Sequence, residues 1–177
     1  MGSMAFSDPQ KNLERFGLQE GHVVADLGAG SGFYTLVAAK MVGSGTVYAV
    51  DVQAELLTRL RGLTAKEKLA NVHFVHADAE QKGGTKIKDH TVDVVLMCNV
   101  LFQIEQKDDF LEEAKRILKP TGRILLVDWT DSFGGLGPQS QHVIGMVSAR
   151  ELFKKHGFTE ISTIDAGDHH YGISFRS

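Results

Sequence analysis

A single cysteine, three prolines and one tryptophan among 177 residues leave several classes of protein without support. Cys98 has no partner for an internal disulfide, so the chain does not read as a disulfide-stapled secreted domain. No apolar run approaches the roughly 18 residues of a membrane span or a secretory apolar segment. Charge of either sign is not in excess: the formal net charge is -3 and the isoelectric point is near 6.2. Nucleic acid binding is therefore unsupported by net charge, and the cytoplasm is the expected compartment. With one cysteine and no ligand-spaced partners, no metal site is expected. His169 and His170 are adjacent in a predicted strand and point to opposite faces, which argues against a two-histidine site.

The hydrophobic share, 42%, suffices for one substantial core. Met1-Gly2-Ser3-Met4 reads as an expression scar ahead of a native start at Met4, and 5–177 reads as a single domain. From Val23 onward, short aliphatic runs alternate with amphipathic ones. Strands are predicted over 23–27, 46–50, 72–75, 91–98 and 121–129, with helices over 33–41 and 54–63. A further helix carries the stripe Phe110, Leu111, Ala114, Ile117 and Leu118, with Pro120 stopping it. The polar stretch 80–90 reads as a solvated connection holding at most a short helix. "SARE", Ser148 to Glu151, is a capping-box signature for a last helix ended by Gly157. Two final strands, 158–164 and 169–175, are joined by a turn too short for a parallel crossover. The fold class is α/β: a doubly wound, mostly parallel, seven-stranded sheet with an antiparallel C-terminal hairpin.

The stretch "VVADLGAGSGFYT", Val23 to Thr35, places Gly28, Gly30 and Gly32 directly after the first strand. Glycines there let the backbone take positive φ and let a ligand approach closely. A dinucleotide fingerprint needs a third glycine where this chain has Phe33. Asp26, two residues before the loop, would repel a pyrophosphate and attract a cation. S-adenosylmethionine has an amino group, a sulfonium and no phosphate. Asp51, closing the second strand, can accept both ribose hydroxyls, and Asp78, after the third, can accept from the adenine amine.

With these residues in view, the chain resembles the class I S-adenosylmethionine-dependent methyltransferases, close to small methyltransferase-domain proteins related to the quinone-biosynthesis C-methyltransferases. The resemblance runs from Phe6 to Phe175. It covers "VADLGAGSGF", Asp51, "DAE" from Asp78, "VDVVLMCNVLFQI" and "LKPTGRILLVDW". It implies the Rossmann-like methyltransferase fold with the last strand inserted antiparallel. It also implies that Asp26 and the backbone of Gly28, Ala29, Gly30 and Gly32 hold the methionine part of S-adenosyl-L-methionine. Asp51 would hold the ribose, with Val52 and Gln53 beside it, and Asp78 with the Ala79 amide the adenine. Cys98 and Asn99 would lie beside the sulfonium, and S-adenosyl-L-homocysteine would be the product.

The acceptor is far less legible. Many relatives carry a histidine where this sequence has Phe102, so the obvious base is missing. The candidates that remain are Asp128, at the end of the fifth strand, and His142, after the glycine-rich loop 132–141. Phe102, Gln103 and Trp129 rank beside them by position alone. Asp128 reads equally well as a tie for a neighbouring loop. The expected reaction is methyl transfer to a small, apolar or aromatic acceptor. The alternatives are a protein or RNA methyltransferase, and a non-catalytic S-adenosylmethionine-binding protein. The roof of the site is expected from 5–21, from 132–146 or from a partner subunit, and a homo-oligomer is compatible with that.

Overall fold

The computed structural model describes residues 7–177; the expected scar at 1–4 lies outside the described residues. Five helices and seven strands follow one another as α1 (Pro9–Phe16), β1 (Val23–Leu27), α2 (Phe33–Val42), β2 (Thr46–Asp51), α3 (Ala54–Lys66), β3 (Val72–His76), β4 (Val92–Cys98), α4 (Lys107–Ile117), β5 (Leu118–Trp129), α5 (Met146–Lys155), β6 (Thr159–Ile164) and β7 (His170–Arg176). All seven strands form one sheet in the order β3-β2-β1-β4-β5-β7-β6. β1 to β5 run parallel, and β7 lies antiparallel between β5 and β6. The expected C-terminal hairpin is therefore present, and β4, apolar on both faces, is the central strand.

Alternation along each strand sends residues to two cores. Val24, Val47, Val94, Leu96, Leu125 and Val127 pack beneath α1 and α2 with Leu13, Phe16, Ala38 and Val42. Ala25, Leu27, Val95, Met97, Ile124 and Leu126 pack on the other face with Phe110, Leu111, Ile117 and Phe153. Both faces of the sheet are thus covered, as a parallel sheet requires.

Two boundaries differ from the sequence-based expectation in an informative way, and one helix was not expected. α4 ends at Ile117, and Leu118 is already extended, with ψ 134, and paired with Val92. The apolar stripe runs on because Leu118 continues the core from a strand rather than from the helix. α5 opens at Met146 with Gly145 as its N-cap, so Ser148 lies inside the first turn and the capping-box reading is corrected. The first helix, α1, carried no prediction. It is delimited by local chemistry: Asp8 accepts from the Lys11 N–H at 3.2 Å, Pro9 occupies the first helical position, and Gly17 closes it at φ 79.

The connection 80–90 holds no helix and keeps Lys82, Lys86 and Lys88 exposed, as expected, but it is not solvated throughout. Thr85 and Ile87 are buried, and the loop is tied to α4 through Glu113, itself fully buried. The Glu113 carboxylate accepts from Gly83 N at 2.7 Å, Thr85 N at 3.2 Å and Thr85 Oγ1 at 2.6 Å, and it pairs with the Arg116 guanidinium at 2.6 and 2.8 Å. Burial opposes ionisation there, but Arg116 and the N–H and O–H donors outweigh it and hold the carboxyl down at about 2. A carboxyl depressed on folding stabilises the fold above its unfolded value, roughly 4.3, and loses that contribution as pH falls toward the folded value. Glu113→Ala should cost about 3 kcal/mol by chemical denaturation, since it strands a guanidinium and three donors. Glu113→Gln should flatten the decline of Tm between pH 5 and 2, and an unchanged acid limb would contradict this assignment.

Candidate functional site

The parallel strands β1, β2, β3 and β4 end side by side, and the loops leaving them form one trough. Its first part, about 280 Å³, is bordered by Asp51, Val52, Gln53, Asp78, Ala79 and Glu80, with Val100, Ile104 and Phe110 opposite. Its second part, about 430 Å³, is bordered by Asp26, Ala29, Ser31, Phe33, Tyr34, Cys98 and Asn99, with Ser7 and Pro9 from the start of α1. Gly28, Gly30 and Gln103 border both. Eleven of the twelve residues expected at a cofactor thus border the trough, and the twelfth, Gly32, stands behind it as the N-cap of α2.

Hydrogen bonding within the glycine loop decides what that loop can hold. Gly28 N and Ala29 N both donate to the Val50 carbonyl, at 2.9 and 3.0 Å, and Gly32 N donates to Ala29 O at 2.9 Å. Gly30 N donates to Asp51 Oδ2 at 2.8 Å. The N–H groups of Gly28, Ala29 and Gly30 thus close the turn on β2 and are not turned to a ligand. The glycines differ in what they make room for. A Cβ at Gly28 would stand 2.4 Å from Val100 Cγ2, and one at Gly32 would stand 2.2 Å from Leu60 Cδ1. At Gly30 the nearest protein atom would be 3.8 Å away, so the space kept clear there is cavity.

The three acids are held differently. Asp51 accepts from Gly30 N and, at 2.9 Å, from Gln53 N, leaving further lone pairs on both oxygens for two hydroxyls. Asp78 accepts from Glu80 N at 2.8 Å and from Gln81 Nε2 at 3.0 Å. Glu80 accepts from Glu105 N and Gln106 N, at 2.9 and 2.6 Å, and so joins the loop after β3 to the start of α4. Asp26 is buried, with Thr35 Oγ1 donating to its Oδ2 at 2.6 Å. Burial pushes its carboxyl up to about 6, the Thr35 hydroxyl partly opposes this, and the Asp51 charge adds to it. Such an acid is stabilised in its ionised form by a cation in the cavity.

At the end of β4, Asn99 takes the left-handed conformation, φ 55, and its buried Oδ1 has no hydrogen-bond partner among the described residues. A bare amide oxygen at a cavity wall calls for a donor from a ligand. Beside it, burial holds the Cys98 thiol well above its usual range, and the Asp26 and Asp128 carboxylates reinforce this. Cys98 is therefore a neutral wall and not a thiolate nucleophile. Tyr34 was not anticipated by sequence reasoning. Its hydroxyl accepts from Asn12 Nδ2 at 2.8 Å and shares a 2.8 Å hydrogen bond with Ser7 Oγ, and so ties α1 to the cavity. A tyrosine in the first turn after a glycine loop is the only sequence signal for it.

The two candidate bases fall outside the trough. Asp128 is buried, and both of its oxygens are engaged: Oδ2 accepts from Leu101 N at 2.9 Å and Oδ1 from Trp129 N at 2.8 Å. Burial raises its carboxyl to about 6 against those N–H groups. It ties the turn after β4 to the end of β5. His142 sits exposed in a short 3-10 turn, Ser140–His142. The 132–142 loop folds back on Trp129, since a Cβ at Gly137 would stand 2.7 Å from the indole, and Phe133 stacks on His169 with ring centres 4.1 Å apart. Of the expected roof, the described part that reaches the cavity is Ser7 and Pro9.

Comparison with known proteins agrees with this geometry. Residues 18–157 match the family model described as a methyltransferase domain. The chain is 33% identical over 120 residues to a ubiquinone/menaquinone biosynthesis C-methyltransferase of Azotobacter vinelandii, covering 67% of this chain and 46% of that protein. It is 37% identical over 116 residues to an arsenite methyltransferase of Aquipseudomonas alcaligenes, covering 63% of this chain and 34% of that protein. A crystal structure of a SAM-dependent methyltransferase from Aquifex aeolicus superposes with a TM-score of 0.88 at 31% identity, covering 96% of this chain and 89% of the other. The chain therefore belongs to the methyltransferase domain family, in the class I S-adenosylmethionine-dependent methyltransferases. It spans less than half the length of the curated relatives it matches.

The residues present fit S-adenosylmethionine. Asp26 and the bare Asn99 Oδ1 offer acceptors to an ammonium, and Asp51 and Asp78 offer them to a ribose and an adenine amine. Gly30 leaves clear the space between the two parts of the trough. Gly30→Ala should lose only about 1–2 kcal/mol of stability, the cost of a left-handed alanine, while abolishing S-adenosylhomocysteine binding by calorimetry. Gly32→Ala, driven into Leu60, should instead lower Tm strongly. Equal loss of stability in the two variants would show that Gly30 does not face ligand space.

Proposed function

We propose that the chain transfers the methyl group of S-adenosylmethionine to a small, neutral acceptor. The observation that carries this reading is the set of Asp26, Asp51 and Asp78 at three consecutive strand ends, bordering one trough whose glycine loop spends the N–H groups of Gly28, Ala29 and Gly30 on the end of β2. Bound there, the cofactor supplies a methyl group activated on a sulfonium. Asp51 orients the ribose hydroxyls, Asp78 and the Ala79 backbone orient the adenine, and Asp26 with Asn99 fixes the amino acid part. Cys98 and Asn99 border the place where the methyl group is presented. Much of the acceleration then comes from holding donor and acceptor at near-attack distance, an effect that reaches effective molarities of about 10⁵–10⁸ M in favourable cases.

The lining residues favour a small acceptor over a polyanion: Asp26, Asp51, Asp78 and Glu80 are acidic, and among the described residues no lysine or arginine borders either part of the trough. Arsenite is disfavoured as acceptor for a separate reason. A thiophilic ion calls for several thiolates, and this chain has one cysteine, whose thiol is held neutral.

Isothermal calorimetry should give micromolar binding of S-adenosylhomocysteine, lost in Asp51→Ala, and no binding of NADH; the reverse pattern would overturn the cofactor assignment. The pH dependence has a definite sign. An ammonium binds the ionised form of Asp26, so affinity should weaken as pH falls below about 6, by up to roughly tenfold per unit. In the absence of ligand the raised acid works against the fold, because the folded state favours its proton: stability is lost as pH rises from the unfolded value through about 6. Asp26→Asn should therefore raise the stability of the free protein at pH 7 by about 1–3 kcal/mol while weakening ligand binding. A variant destabilised at pH 7 would contradict this.

A further inference from the structure

α1 is fastened to the body of the fold at both ends. At its C-terminal end the Arg123 guanidinium of β5 donates to the Phe16 and Gly17 carbonyls, at 2.9 and 3.0 Å, and lies over the Phe16 ring. One turn in from its start, Asn12 is buried. Its Nδ2 donates to Ser7 Oγ and to the Tyr34 hydroxyl, each at 2.8 Å, and lies 3.4 Å from the Ala166 carbonyl. That carbonyl can only accept, which fixes Nδ2 as the atom facing the two hydroxyls. The wall formed by Ser7, Pro9 and Tyr34 on this side of the trough is thus set by the fold itself.

The Ser7 and Tyr34 hydroxyls carry two protons between them. The 2.8 Å hydrogen bond that joins them uses one, whichever oxygen donates, and Asn12 Nδ2 gives protons to the pair without taking any. One O–H is therefore left with no oxygen or nitrogen acceptor among the described residues, and both residues border the second part of the trough. The Cys98 thiol beside Tyr34 is only a weak acceptor for it. Burial pushes the Tyr34 hydroxyl well above its usual pKa, with Cys98 and Asp26 adding to this and the Ser7 and Asn12 hydrogen bonds opposing it, so Tyr34 keeps its proton at pH 7. α2 begins next to the pair with Gly32 as its N-cap and no side-chain cap, and its first two residues, Phe33 and Tyr34, border the same cavity. The N–H groups of such a helix start favour an anion.

We infer that the Ser7–Tyr34 hydroxyl pair, at the start of α2, seats the carboxylate of the cofactor's amino acid part, an inference that rests on the chain's use of S-adenosylmethionine. The ammonium and carboxylate of an α-amino acid sit on one carbon, so an ammonium drawn to Asp26 brings the carboxylate into the same part of the trough. There it needs donors, and among the described residues no lysine or arginine borders that part. The other polar groups around it are poorly suited. Asp26 can only accept, Asn99 presents its bare oxygen, Gln103 Nε2 donates to the Asn99 carbonyl at 3.1 Å, and Ser31 is exposed. The N–H groups of Gly28, Ala29 and Gly30 are spent on the end of β2. The spare O–H of the pair, in a wall held by α1, is the donor that remains. The site therefore distinguishes S-adenosylmethionine from its decarboxylated form, which keeps the ammonium and the sulfonium but lacks the anion.

The test is a cycle of two ligands and two proteins, read by calorimetry. The ligands are S-adenosylhomocysteine and its decarboxylated analogue, 5′-deoxy-5′-(3-aminopropylthio)adenosine; the proteins are wild type and the double variant Ser7→Ala/Tyr34→Phe. Wild type should bind S-adenosylhomocysteine about 10²-fold more tightly than the analogue. In the double variant that preference should shrink by about 10- to 100-fold, the range expected for a hydrogen bond to a charged group. Affinity for the analogue should stay within about threefold, which shows that the fold and the adenosine end of the site are intact. A wild type that binds both ligands equally, or a double variant that keeps the full preference, would overturn the inference. So would a variant that loses the analogue as steeply as S-adenosylhomocysteine, because the hydroxyls would then act through the fold and not on the carboxylate. Failure of wild type to bind either ligand would instead overturn the donor assignment, and the inference with it.

Discussion

The turn after β1 is hung from the end of β2, and the site depends on that attachment. Three successive N–H groups, of Gly28, Ala29 and Gly30, go to the Val50 carbonyl and the Asp51 carboxylate. This fixes the loop without any ligand and aligns the ends of β1 and β2. It also takes these three donors away from any ligand, so the glycine spacing serves geometry and clearance while the chemistry passes to the acids. Asp51 has two tasks in consequence. It closes the protein's own turn with one set of lone pairs and offers the rest to the trough.

Around that turn, the remaining loops are tied by carboxylates rather than packed by bulk. Glu80 joins the loop after β3 to the start of α4, Glu113 holds the same loop from beneath, and Asp128 holds the turn after β4. Each accepts from backbone N–H groups that a loop would otherwise leave to water. The result is a trough with rigid walls and an acid-rich mouth. On the α1 side the wall is held by the hydrogen bonds among Ser7, Asn12 and Tyr34.

The sheet and the acids that border the trough were legible in the sequence because both leave periodic or positional signals. Strand runs of alternating period, an acid closing each of three runs and a connection of four residues between the last two strands suffice for the order of the elements. What was hidden depended on tertiary contacts. Leu118 continues a helical stripe yet pairs with Val92, since the core accepts its side chain from either backbone. Thr85 and Ile87 look like parts of a polar loop because the residue that buries them, Glu113, is 28 positions away from Thr85 and reads as a surface acid on an amphipathic helix. α1 is short, eight residues, and announced only by its caps. Tyr34 carries no pattern at all: a tyrosine in a sequence does not say whether its hydroxyl will already be engaged.

The same distinction decides between the candidate bases. A general base needs a lone pair that points to substrate and is not already engaged. Asp128 sits close to the end of β4, but each of its oxygens already accepts a backbone N–H, and withdrawing either would release the turn that carries Val100 and Leu101. Protonating it would weaken the ties that position Asn99, so its chemistry and its structural task are in conflict. His142 fails on the other count: it is exposed in the Ser140–His142 turn and borders neither part of the trough.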